Sequence, residues 1–123
     1  MKLLIIAALL FNSVSFSSQA RNVFLSDKKT EPVLIGVGRS SILSFPSKPT
    51  KVILGSQGQF AVEYVENDLA IAALKPGAHS NLFVYLEGRR FGFDLRTTSG
   101  VGDEIVLIRD SDDRKVKVKI KND

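Results

Sequence analysis

The chain has 123 residues, with 17 Lys and Arg against 13 Asp and Glu, a single histidine and no cysteine. That length suits one modest domain, and the missing cysteines exclude a thiol nucleophile, a thiolate metal site and a disulfide framework. The net charge of +4 is a mild bias that suits acidic partner patches or anionic envelope surfaces; it lacks the clustered basic residues of a nucleic-acid footprint.

Residues 1–20 read as a separate object. Lys2 precedes the apolar run Leu3 to Phe11, and a polar stretch ends in Ser18-Gln19-Ala20. Small residues at the first and third positions before a cut are what signal peptidase reads. The apolar run is about half the roughly 20 residues of a transmembrane helix. A cleaved signal peptide is therefore expected, with an uncleaved anchor as the alternative. Cleavage after Ala20 leaves 103 of the 123 residues, and loss of Lys2 leaves 16 basic side chains against 13 acidic. An exported domain of this size without disulfides folds on packing alone or is stabilised by assembly. No Asn-x-Ser/Thr acceptor follows the leader, which fits a bacterial envelope protein better than a eukaryotic secreted one.

Residues 21–32 are polar and read as a loose arm or a first edge strand. Short apolar runs follow at 33–37, 41–45, 51–55, 60–65, 69–74, 81–87, 90–96, 104–109 and 115–121, broken by Gly, Pro, Asn, Asp and Ser. Regular spacing of short Val-, Ile- and Phe-rich runs predicts an all-β sandwich or barrel. The run 69–74 reads as strand or as one to two helical turns. Its alanines favour helix, but Asn67-Asp68 resembles a hairpin turn, and strand is preferred. Leu82, Val84 and Leu86 share one face of their run and Phe83 and Tyr85 the other, so this strand is expected to be covered on both faces. The chain is expected to turn at Glu87-Gly88, and in the returning strand Phe91, Phe93 and Leu95 face in, while Arg90, Gly92, Asp94 and Arg96 face out. At 115–121, Val116, Val118 and Ile120 alternate with four lysines, a pattern that keeps a sheet edge from pairing with strangers.

Catalytic patterns are sparse. His79 lies in Pro76-Gly77-Ala78-His79 and reads as an exposed turn residue; no Gly-x-Ser-x-Gly elbow accompanies it. The glycines at 36–38 and 55–58 lack the Gly-Lys-Ser/Thr ending of a phosphate loop and read as turns. Asp110 to Asp113 lacks the mid-loop glycine and closing glutamate of a calcium loop. Glu63 and Glu66 read as solvated. The residues therefore predict no catalytic site, no metal and no cofactor.

From Val37 to Arg96 the order of features resembles the N-terminal β-sandwich domain of the CagX/TrbG family of conjugal-transfer proteins, which serve type IV secretion systems. The likeness is carried by Phe45-Pro46 before Lys51-Val52-Ile53-Leu54-Gly55, by Lys75-Pro76-Gly77, by Ser80-Asn81-Leu82 and by Phe91-x-Phe93-x-Leu95. Family members usually carry a second, C-terminal β domain, and only residues 101–123 follow the match here. The same residues also resemble the N-terminal domain of pilus-assembly secretins and TraK-type conjugation proteins.

The sequence thus predicts an all-β chain: a small antiparallel β-sandwich of about eight short strands over 33–123. The resemblance implies a non-enzymatic subunit of a type IV secretion or conjugal-transfer apparatus, periplasmic and associated with the outer membrane through its partners. Those partners are other secretion or pilus-assembly subunits in a ring or other oligomer, without nucleic acid. Phe83, Tyr85, Arg89, Arg90, Asp94 and Arg96 are the expected partner interface. The alternatives are a component of a pilus-assembly secretin system, and a stand-alone ligand- or glycan-binding domain with Phe60, Tyr64 and Tyr85 lining a groove.

Overall fold

Alternation of large apolar and polar residues sets the architecture. A computed structural model describes residues 20–110 of the chain; residues 1–19 of the expected signal peptide, residues 111–113 and the lysine-rich run at 115–121 lie outside them. Nine strands form among the described residues: β1 (Arg21–Leu25), β2 (Thr30–Gly36), β3 (Ser40–Ser44), β4 (Lys51–Leu54), β5 (Phe60–Val65), β6 (Asp68–Ala73), β7 (His79–Leu86), β8 (Arg89–Thr98) and β9 (Ile105–Asp110). No helix intervenes. Residues 69–74, open to helix by propensity, are strand because alternate side chains Leu69 and Ile71 are both fully buried, which a period of two allows.

The strands form two sheets, in the orders β1-β9-β3-β6-β5 and β2-β8-β7-β4. The pairing is mixed rather than wholly antiparallel: β1 with β9, β2 with β8 and β3 with β9 run parallel. The polar segment 21–32 is no loose arm. It supplies β1, an edge strand, and the start of β2. Pro32, which has no N–H to give, sits in this other edge strand, where that absence costs no ladder bond on the open side.

The core lies between the sheets. Leu43, Phe60, Leu69, Ile71 and Val106 come from the five-stranded sheet, and Val33, Ile35, Leu82, Val84, Phe93 and Leu95 from the other; all are at most 1% exposed. Phe45 meets Phe93 edge to face, with ring centroids 6.0 Å apart, the geometry aromatic quadrupoles favour. Burying each such aromatic contributes about 1.5–3 kcal/mol. The two buried polar side chains, Ser41 and Ser80, leave no orphaned group among the described residues. Ser80 Oγ accepts from the Ser56 amide at 2.8 Å and donates to the Asn81 carbonyl at 2.9 Å, which pins the β4–β5 connection to β7.

Edge strand β2 is protected by side chains. Asp103 Oδ2 accepts from the Leu34 amide at 2.9 Å, while the Asp103 amide donates to the Leu34 carbonyl at 2.7 Å. Arg21 reaches across from β1 to the Pro32 carbonyl at 2.8 Å and pairs with Glu31 and Asp103. Gly102 makes this possible: its φ is +74°, and a Cβ there would press on the Leu34 carbonyl oxygen and the Gly36 amide.

Candidate partner-binding face

The hairpin β7–β8 turns through Glu87 and Gly88, both in the left-handed region with φ of 50° and 72°. Two consecutive positive φ values define the tight turn whose twist matches paired strands. This places Leu86 opposite Arg89, and so Phe83 opposite Gly92, Asn81 opposite Asp94 and His79 opposite Arg96. On β4, Lys51 faces Tyr85 and Ile53 faces Phe83; on β2, Thr30 faces Gly92.

Leu82, Val84, Leu86, Phe91, Phe93 and Leu95 all point into the core. The outer face is therefore built of Phe83, Tyr85, Arg90, Gly92, Asp94 and Arg96, with Lys51 and Ile53 alongside. The expectation that β7 is covered on both faces is met on one only: Phe83 and Tyr85 are half-buried. Glycine 92 supplies part of that cover. It has no side chain, and the Phe83 ring lies close enough that a Cβ at Gly92 would sit 3.5 Å from it. The Arg90 guanidinium stands 5.9 Å from the Phe83 ring centroid, within cation–π range.

Arg89 is elsewhere. It lies on the side of Phe91, over whose ring its guanidinium sits at 4.9 Å, and its Nε is 3.9 Å from Asp27. The six expected interface residues thus divide into five on the outer face and one at the mouth of the hairpin on the core side.

The far end of the face carries a charge network. His79 is not in the preceding turn but opens β7, and its side chain is exposed. Its Nε2 stands 2.7 Å from Asp94 Oδ1, and Arg96 Nε stands 3.2 Å from Asp94 Oδ2. A carboxylate has no proton to give, so Nε2 carries the proton of the first contact. The hydrogen bond from His79 holds the Asp94 carboxyl below its ordinary value; partial burial opposes this and Arg96 reinforces it. Asp94 is therefore a neutralised acid within a basic face that also holds Lys51, Arg90 and Arg96.

Sequence reasoning missed this network, and also Lys51 and Ile53. The network was recoverable from the turn: a two-residue loop at Glu87–Gly88 fixes His79 one diagonal from Asp94. The contribution of β4 was not, since nothing local names the partner of an edge strand.

The groove imagined for Phe60, Tyr64 and Tyr85 does not form. Phe60 is 1% exposed within the core, Tyr64 is on edge strand β5, and Tyr85 is on the outer face of the opposite sheet. Among the described residues no group of three His, Asp or Glu side chains is placed to hold a metal ion. No protein-family model matches the chain, and no curated protein is significantly similar to it.

Proposed function

We propose that this chain is a non-enzymatic structural subunit of a bacterial envelope secretion apparatus, of the type IV or conjugal-transfer kind. It is exported to the periplasm and held near the outer membrane by its partners. One observation carries the reading: the outer face of β4, β7 and β8 presents Ile53, Phe83 and Tyr85 bracketed by Lys51, Arg90 and Arg96. The outer face of a lone sandwich is normally polar, and aromatics rimmed by basic groups fit a protein partner with an acidic rim. The resemblance to the CagX/TrbG family supports the choice of apparatus. Of the residues that carry it, Phe45, Leu82, Phe91, Phe93 and Leu95 are core positions, so it speaks first to fold.

In this reading Phe83 and Tyr85 are the anchors, and Arg90 and Arg96 form charge-assisted hydrogen bonds to partner carboxylates. Charges at the rim set orientation and association rate more than affinity. Chemical cross-linking in intact cells, followed by isolation of the chain, is expected to recover secretion-operon subunits. Arg90→Glu with Arg96→Glu is expected to lose them while leaving the fold intact. Recovery of the monomer alone contradicts the reading.

A further inference from the structure

We infer that the outer face of the five-stranded sheet docks on the basic, aromatic face of β4, β7 and β8 of a second copy of this chain. The inference rests on the partner-binding role proposed for that basic face, and it names the partner.

The outer side of the five-stranded sheet breaks the usual alternation. Ile42 on β3, Ala70 and Ala72 on β6, and Ile105 and Leu107 on β9 point away from the core. Their neighbours Leu43, Leu69, Ile71, Val106 and Ile108 are buried, so these strands are apolar on both sides. The outward side chains are contiguous, because Ile42 stands opposite Ala70 on one flank and Ile105 on the other. Ile105 is 38% exposed, and Val65, at the outer end of β5, is 50% exposed. The outer face of a solvated sheet is normally polar, and contiguous exposed apolar side chains mark a surface that meets a partner. Alanine is also depleted in strands, since it covers little of the pleated surface. Ala70 and Ala72, which give β6 its helical propensity, suit a sheet that another surface approaches closely.

The charges name the occupant. Glu63 stands opposite Ala70, and Asp68 precedes Ala70 by two residues on β6. These acids flank the apolar patch on its β5–β6 side, where no basic residue stands. Arg109, the one base at an outward strand position among the described residues, lies at the far end, opposite Phe24 on β1. On the other side of the molecule, Lys51 and Arg90 flank Tyr85 in one row across β4, β7 and β8. These bases are two strand spacings apart, ~10 Å, and the two acids are one strand and two residues apart, ~8 Å on the diagonal. The long basic side chains span the difference. Seating Phe83 and Tyr85 on Ala70 and Ala72 therefore brings each base within reach of an acid and sets large side chains on small ones.

Like faces do not fit each other. Two acidic faces centred on Ala70 gather four carboxylates, and two basic faces centred on Tyr85 gather four cations; such like-charge juxtaposition is penalised across an interface. Nor can one copy satisfy itself, since the two faces lie on opposite sides of the sandwich. Each copy thus offers one face to each of two neighbours. Head-to-tail contacts of this kind build rings or open chains rather than closed two-fold pairs.

The test uses the purified full chain. Glu63→Lys with Asp68→Lys reverses the acidic face, and Lys51→Glu with Arg90→Glu reverses the basic one. In sedimentation, each double variant alone is expected to associate with a dissociation constant raised about tenfold or more over the unaltered chain. An equimolar mixture of the two is expected to restore association, because every contact in it again joins opposite charges. Rescue by mixing separates docking from loss of fold. The chain has no native cysteine, so an Ala72→Cys variant mixed with an Ile53→Cys variant and a short bis-maleimide is expected to give adducts between the two in excess of either homo-adduct. A chain that stays monomeric, a mixture that associates no better than its components, or adducts mainly between like positions overturns the inference. The proposed function fails separately. A monomeric purified chain whose Tyr85 is cross-linked in cells to a different envelope subunit overturns the inference alone. Assembly of the purified chain with no other secretion-operon subunit recovered from cells supports the inference and contradicts the proposed function.

Discussion

At the scale of single residues, Asp94 is the most informative position. The His79 hydrogen bond, aided by Arg96, stabilises its charged form, so its carboxyl titrates lower in the folded chain than in the unfolded one. A depressed folded value contributes stability that is complete above the ordinary carboxylate value of 3.8 and is lost as pH falls below it. Because the group is open to solvent on one side, the contribution is under about 1 kcal/mol. Asp94→Asn is expected to lower stability at neutral pH by under about 1 kcal/mol and to leave the value near pH 3 little changed, which flattens the acid limb of the stability curve, measured as urea midpoints at the two pH values. An undiminished acid limb in the variant would assign that limb to other carboxylates. Gly102 is a second such position. Gly102→Ala forces a side chain into left-handed backbone and against the Leu34 carbonyl, and is expected to cost about 1–3 kcal/mol in thermal or urea unfolding. In hydrogen exchange the same change is expected to expose the Leu34 amide, which Asp103 now holds.

At the scale of elements, Phe93 ties the two sheets together through Phe45. Phe93→Ala is expected to cost about 3–5 kcal/mol in urea unfolding, a large share of the roughly 5–15 kcal/mol that holds an ordinary domain folded. Such core positions were legible in the sequence. The alternation of Phe91, Phe93 and Leu95 against Arg90, Gly92, Asp94 and Arg96 named both faces of β8, and Glu87-Gly88 named its turn. The β5–β6 turn was read one residue late: the loop is Glu66-Asn67, with Glu66 at φ 53°, and Asp68 already belongs to β6. Glutamate is a poor local signal for positive φ; Asn67 drew the prediction because asparagine is a better one. The parallel pairs β1–β9, β2–β8 and β3–β9 were not legible at all. Alternation reports which side of a strand is wet, and it is blind to the direction of the strand alongside. Residues 21–25 were hard to read for a related reason: Val23 and Leu25 are buried, and their strand pairs with β9, which is distant in sequence.

At the scale of the whole molecule, the two sheets differ in what their surfaces offer. The outer face of β4, β7 and β8 joins aromatic side chains to a basic rim, while the β5–β6 hairpin is acidic. Most of the first surface was visible in the sequence as outward-facing residues of one hairpin. The exception was Arg89, whose place beside Phe91 follows from its position at the mouth of the turn. Phe83→Ala and Tyr85→Ala are each expected to weaken partner binding about tenfold or more while leaving the unfolding midpoint within about 1 kcal/mol, since neither side chain is in the core. The most direct test of a secretion-subunit role is a photo-cross-linking amino acid placed at Tyr85 in cells that make the native apparatus, with a second at Lys28 in the β1–β2 turn as control. The account predicts adducts with envelope secretion subunits from Tyr85 and none from Lys28. Equal labelling at both positions, or no adduct at Tyr85, contradicts it.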